Sequence, residues 1–192
     1  MGVVAATELI LIRHAPALTG GRLCGRTDVA ADCSDAGRVA ALRAAAGTPD
    51  RIVTSPALRC RQTAAALWPA SPGPSSDAAL WEQDFGAWEG MSHDALPDLG
   101  PLGPADLADH RPPGGESFAD LCARVAPALI RASTGGRVAI VAHAGTVRAG
   151  LALALGSVPQ ALAFEVAPLS LTRLRALPGG GWSIGTVNWM PA

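Results

Sequence analysis

Two histidines stand where apolar runs end: His14 closes LILIRH and His143 closes VAIVAH, the first with Arg13 beside it. One histidine after a buried strand is readily structural, but two at equivalent strand ends, one next to an arginine, point to chemistry on an anion. Neutral imidazole is a nucleophile near neutral pH without a separate activating base, and arginine stays charged while gripping a phosphate through parallel N–H donors. Arg13 and His14 follow residues expected to be buried on both faces, so their polar groups need partners at the strand end or a dissolved anion. TSPALRCRQTA supplies Arg59 and Arg61, about 200° apart around a helix, so only one can face a given site, and periodicity leaves either open. LWEQDFGAWEG supplies Glu82, Asp84 and Glu89 among Trp81, Phe85 and Trp88. A carboxyl held among aromatic rings suits general-acid work, and spacing leaves Glu82 and Glu89 as alternatives.

Composition narrows what such a site acts on. The 192 residues carry a net charge of −1 with only 16% charged side chains, which excludes a basic nucleic-acid face and an acidic solvating tail, and leaves a small molecule as the expected partner. All 15 basic residues are arginine, so neither a Schiff-base lysine nor a P-loop lysine is available. Cys24, Cys33, Cys60 and Cys122 show no CxxC or metal-ligand spacing and are read as small apolar residues. No carboxylate cluster suits magnesium, and neither metal nor cofactor is expected. The N-terminus lacks the basic start and small-residue site of a leader, and Ala6 stands where a myristoylation signal has Ser or Thr. The apolar stretch from Ala149 to Gly156 is too short to span a bilayer. The expectation is one domain over residues 1–192, soluble and cytoplasmic.

The elements that must position these residues follow from periodicity. Apolar runs at Glu8–Ile12, Arg51–Thr54 and Val138–Ala142 each lead into a helical pattern, as in a parallel sheet. Helices are expected from Asp35 to Ala46 with Gly47 as the stop, after Thr54 with Ser55 capping and Pro56 in the first turn, and from Thr146 to Leu155 ending at Gly156. Ser117 and Asp120 resemble a capping box ahead of Phe118, Leu121, Val125 and Leu129, with Pro127 placed to kink that helix. Residues 69–79 and 97–115 read as surface loops, and His93 and His110 as exposed bystanders. Strands Ser170–Leu177 and Trp182–Trp189, joined by PGGG, form an antiparallel edge hairpin. The fold class is α/β: three layers, α/β/α, with helices on both faces of a mostly parallel sheet.

Taken together the motifs resemble those of the histidine phosphatase superfamily, the phosphoglycerate-mutase-like group. The similarity lies at Ile12-Arg13-His14-Ala15, Gly25-Arg26-Thr27-Asp28, Ser55-Pro56 with Arg59 to Ala64, Leu80 to Gly90, and His143-Ala144-Gly145, in family order over most of the chain. Within it, CGRTD, DFGAWEG and RPPGGESF most resemble α-ribazole phosphatases, the enzymes of cobalamin nucleotide-loop assembly. The resemblance implies that His14 becomes transiently phosphorylated and that Arg13, Arg59 and His143 bind the phosphoryl oxygens as cationic or donor groups. It also implies that Glu82 is the acid, and it selects Arg59 over Arg61. A phosphatase is favoured over a mutase, whose inserted substrate segments 192 residues hardly accommodate, and over a non-catalytic phosphate-binding module, which needs no nucleophile. Ala15 departs from the family's glycine, and no match is found for the asparagine of several mutases, Thr19 being the nearest polar residue. Arg22, Arg26 and Thr27 are candidates for contact with the substrate beyond its phosphate, and Thr146 and Arg148 for lining the site.

Overall fold

In the computed structural model, which describes residues 6–191, six strands form one mixed sheet in the order β3-β2-β4-β1-β5-β6. The strands are β1 (Thr7–Arg13), β2 (Arg51–Thr54), β3 (Ser75–Ser76), β4 (Gly136–Ala142), β5 (Leu171–Ala176) and β6 (Trp182–Trp189). Residues 1–5, part of the stretch read for a leader or lipid signal, lie outside the described residues. β1 and β4 are parallel, as are β2 with β4 and β2 with β3, while β5 runs antiparallel to β1 and β6.

Alternation along β1 explains the layering. Leu9 and Leu11 pack on one side with α4 (Phe118–Ala132) and α5 (Ala144–Leu155); Ile10 and Ile12 pack on the other with α1 (Ala36–Ala46) and α2 (Leu58–Leu67). All four β1 side chains are at most 1% exposed, and burial of each is worth about 1.5–3 kcal/mol. The capping box at α4 is present: Asp120 N–H donates to Ser117 Oγ and Ser117 N–H to Asp120 Oδ2, an arrangement worth about 1 kcal/mol. Pro127 lies within this helix, which continues to Ala132.

Several boundaries differ from the sequence reading. α2 starts at Leu58 and not at Pro56, so its N-cap is Ala57; the Ser55 hydroxyl accepts the Ala57 N–H at 3.3 Å and lies 2.8 Å from His143 Nε2. α5 starts at Ala144, two residues earlier than expected, which makes His143 its N-cap residue. The 69–79 loop contains β3, a two-residue polar strand without an apolar signal, and the 97–115 loop contains α3 (Pro104–Asp109), opened by a proline preorganised for the first turn. A four-residue helix, α6 (Val158–Ala161), follows α5.

The chain leaving β1 passes to α1 on one face, while the chain leaving the adjacent β4 passes to α5 on the other. That divergence opens a crevice at the carboxyl ends of the two central strands, where ligands bind in open α/β sheets.

Candidate active site

Sheet register brings the distant motifs to one level. Arg13 pairs with Ala142 and Thr54 with Val141, and the ladder runs on past the strand ends: His14 N–H donates to Ala142 O at 2.9 Å and Ser55 N–H to Val141 O at 3.1 Å. His14, Ser55 and His143 therefore sit side by side above the sheet. Of these, His14 lines a cavity of about 440 Å³ whose wall also includes Arg13, Arg59, Glu82 and Gly145, a size suited to a small metabolite.

The hydrogen bonds of His14 select one tautomer. A carbonyl can only accept, so Nδ1–H donates to Ala15 O at 2.7 Å, and Nε2, which takes the Arg59 Nε–H at 3.3 Å, carries the lone pair. Burial pushes the pKa of His14 down to about 3, against the Ala15 carbonyl that favours the cation, and Arg59 and Arg13 push the same way as burial. The imidazole is neutral at physiological pH with its nucleophilic nitrogen beside the cavity.

Ala15 fits without strain. It has no positive φ, its N–H donates to Thr63 Oγ1 at 2.9 Å, and its side chain is fully buried in the core cluster formed with Ile10 and Ile12. The methyl group thus fills core space behind the site while the Ala15 carbonyl orients His14.

Arg59 is buried, at 1% exposed, and Arg61 is exposed, which decides the question periodicity left open. Nη1 and Nη2 of Arg59 donate to Thr27 O and Gly25 O at 3.0 and 2.7 Å, leaving the Nε edge at His14. Arg13 Nη1 donates to Val166 O at 2.6 Å, and its buried Nε has no partner among the described residues. Arg13 also lines the cavity, where a guanidinium group with one hydrogen bond fits an anionic ligand.

The two carboxylates separate cleanly. Glu89 accepts from Gly25 N–H at 3.0 Å, Arg26 N–H at 2.8 Å and Thr27 Oγ1 at 2.7 Å, locking the loop whose carbonyls hold Arg59. Burial alone would raise its pKa, but these donors outweigh burial and hold the carboxyl ionised. Gly25 is required there, since a Cβ would fall 2.7 Å from Glu89 Oε1 and closer still to the Gln83 carbonyl. Glu82 instead lines the cavity, its oxygens 3.2 and 3.3 Å from the Gly145 N–H in the first turn of α5. Of the two alternatives, geometry leaves Glu82 free to exchange a proton with a ligand.

His143 is fully buried and forms no part of the cavity wall. Its ring meets His14 edge-on, with centroids 5.2 Å apart, and stacks on Trp81; Nε2 lies 2.8 Å from Ser55 Oγ and 3.6 Å from Cys60 Sγ. Burial drives its pKa well below the ordinary histidine value, with His14, Arg59 and Arg13 acting in the same direction. It is therefore neutral and set back behind His14, not a charge on the cavity wall as a phosphate-binding role would place it.

The remaining candidates divide. Thr19, Arg22 and Arg148 line the outer cavity, and so does His93, which is exposed but not a bystander. Its Nδ1 lies 3.1 Å from the Gly21 carbonyl. Arg26 lies over the Trp81 ring, Thr27 is tied to Glu89, and Thr146 is buried against Leu80 O, so these three serve the scaffold. His110, expected to be exposed, is half-buried and stacks on Trp88 with centroids 5.4 Å apart. Sequence reasoning did not single out the roles of Ser55 or the Gly145 N–H. A glycine two residues after the His143 cap, where a backbone must approach a side chain closely, was the available signal.

Among the described residues no three His, Cys, Asp or Glu side chains cluster to hold a metal ion, and no helix is long and apolar enough to cross a membrane. The arrangement offers a neutral nucleophile, two guanidinium groups and one carboxyl around a space able to hold a phosphoryl group.

Comparison with known proteins agrees with this chemistry. A search of curated protein sequences finds no significant match. Among solved structures, "Mycobacterial hydrolase 1" superposes with a TM-score of 0.84 at 26% identity, covering 97% of this chain and 100% of that one. A mycobacterial glucosyl-3-phosphoglycerate phosphatase gives a TM-score of 0.82 at 26% identity, with 95% and 99% covered. The α-ribazole phosphatase from Shigella flexneri gives 0.79 at 20% identity, with 95% and 96% covered, a likeness of fold. The family model described as the histidine phosphatase superfamily, branch 1, matches residues 9–190, and the chain belongs to that family.

Proposed function

We propose that the chain is a phosphomonoesterase that hydrolyses a small phosphorylated metabolite through a phosphohistidine at His14 Nε2. The observation that carries this reading is the tautomer: Nδ1–H is tied to the Ala15 carbonyl, so the lone pair of a neutral Nε2 is presented beside Arg13, Arg59 and Glu82. In the first half-reaction Nε2 attacks phosphorus in line, the P–O ester bond breaks, and protonated Glu82 gives its proton to the leaving oxygen. The guanidinium groups of Arg13 and Arg59 stabilise the charge on the equatorial oxygens. In the second, the Glu82 carboxylate takes a proton from water, the water oxygen attacks phosphorus, and the P–N bond breaks to return neutral His14 and free phosphate. His143, packed edge-on against His14 and held at Ser55, keeps the plane of the nucleophile. No step requires a metal or an organic cofactor.

The likeness to a glucosyl-3-phosphoglycerate phosphatase at 26% identity supports hydrolysis of a small phosphorylated substrate. Sequence resemblance puts α-ribazole 5′-phosphate first, as the substrate of a cytoplasmic enzyme in cobalamin synthesis. The segments behind that choice are engaged mainly with one another, however: Glu89 binds the Gly25–Thr27 loop, and Glu116 N–H donates to Asp84 O. Substrate choice therefore rests on the outer wall, at Thr19, Arg22, His93 and Arg148. The test is phosphate release from a panel of phosphorylated metabolites that includes α-ribazole 5′-phosphate, with wild type and His14→Ala. Free phosphate as the main product, abolished in the variant, is expected. Turnover unchanged by His14→Ala overturns the mechanism, and phosphate moved within one substrate, dependent on a phosphorylated donor, indicates a mutase.

A further inference from the structure

Glu82 is carried by a stretch, Trp81–Phe85, that belongs to neither helix nor strand, yet its carboxyl must sit within hydrogen-bond reach of a reacting oxygen. What holds that stretch comes from α4. All five N–H donors of Arg124 are used: Nε donates to Glu116 Oε1 at 2.9 Å, Nη2 to Glu116 Oε2 at 2.7 Å and to Glu82 O at 3.4 Å, and Nη1 to Ala79 O at 2.8 Å and Trp81 O at 3.0 Å. Two of the acceptors are backbone carbonyls of the Glu82 segment, those of Trp81 and Glu82 itself, and a third, Ala79 O, lies in the turn that leads into it. Glu116 closes the frame from the other side, accepting the Asp84 N–H at 3.1 Å, while its carbonyl takes Gln83 Nε2 at 2.7 Å. Arg26, whose guanidinium lies over Trp81, reaches the same carboxylate at 3.4 Å.

We infer that Arg124, paired with Glu116, is a positioning residue for the general acid, fixing the Glu82 backbone so that its carboxyl meets the leaving-group oxygen. The pair touches neither the cavity nor His14; it reaches the site through the Trp81–Glu82 backbone it holds. The planar fork is needed: a lysine ammonium has three donors on a flexible stem and cannot serve five acceptors spread over two segments. The inference rests on the assignment of Glu82 as the acid in the proposed function.

Leaving-group dependence separates positioning from general damage. An alkyl phosphate releases an alkoxide that must be protonated, whereas p-nitrophenyl phosphate releases a stable phenolate without help. In Arg124→Lys, kcat/KM for glycerol 3-phosphate should fall by about 30-fold or more, the loss expected when a catalytic group is misplaced by about 1 Å, while the pre-steady-state burst of p-nitrophenolate stays within about threefold of wild type. Glu116→Gln, which keeps the shape and one acceptor oxygen, is the milder second variant and carries the same selectivity at smaller amplitude. Equal losses with both substrates, or none with either, overturn the inference. Absence of acid-labile label on His14 in wild type quenched during turnover would instead strike at the phosphohistidine on which it depends.

Discussion

Acidification should destabilise this protein in a window set by its two buried histidines, His14 and His143. His14 is 5% exposed and His143 is fully buried, and burial depresses the pKa of each in the folded state, to about 3 for His14 and well below the ordinary value for His143. A depressed folded pKa means that the stability present above the unfolded value of 6.5 is lost as pH falls from there toward the folded value, because the unfolded chain takes up protons that the folded chain refuses. Between pH 7 and pH 5 each histidine that stays neutral in the native state should cost about 2 kcal/mol, so the pair costs about 4 kcal/mol, a large share of ordinary domain stability. Carboxylates act elsewhere. Burial alone would raise the pKa values of Glu8, Glu89 and Glu116, but hydrogen bonds and arginine partners hold all three below the ordinary 4.5, so their contribution is lost at more acidic pH. Urea unfolding followed by fluorescence of the five tryptophans at pH 7, 6 and 5 reads the effect directly. His14→Asn or His143→Asn should each remove about half of the pH-dependent loss, whatever either does to stability at pH 7. The reasoning is refuted if wild type and both variants lose stability equally between pH 7 and pH 5.

Three other perturbations test neighbouring parts of the account. In Gly145→Ala the new Cβ would overlap Glu82 Oε1 and come within 2.8 Å of Leu121 Cδ1, so the carboxyl must move; kcat for an alkyl phosphate should fall about 100-fold with only a small shift in melting temperature, and an unchanged kcat would count against Glu82 as the acid. Ala15→Gly restores the family residue but empties a buried methyl site; a loss of about 1–2 kcal/mol in denaturant unfolding with kcat within about twofold is expected, and a several-fold gain in kcat would show that the methyl group disturbs the phosphate site. Glu89→Gln weakens the grip on the Gly25–Thr27 loop and, through it, Arg59; inhibition by inorganic phosphate should weaken about tenfold, and an unaltered inhibition constant would separate the loop from phosphate binding.

How much of this was legible in the sequence depends on the residue. The period-2 burial of β1, the capping box of α4, the edge hairpin and the placement of His14 at a strand end all follow from local pattern. The α5 boundary did not, because its first turn, Ala144–Gly145, carries no capping side chain and its N-cap, His143, makes no side-chain capping bond. β3 escaped because two serines hydrogen-bonded to an edge have neither apolar alternation nor length. At the site, local spacing could not separate Arg59 from Arg61 or Glu82 from Glu89; family resemblance made those choices, and burial and hydrogen bonding agree with them. Ser55, the Gly145 N–H and the Arg124 frame depend on register between strands and on packing of α4 against the Glu82 segment, contacts between residues far apart in the chain.

The central claim is a covalent phosphoryl group on one nitrogen, and rapid-quench trapping tests it most directly. Wild-type protein mixed with a phosphoester labelled in its phosphate and quenched in alkali within the first turnover should carry label that is stable to base, labile to acid, and located by peptide mapping to His14, with none in His14→Ala. Turnover proceeding at the full wild-type rate with no label at His14 at any quench time would contradict the account.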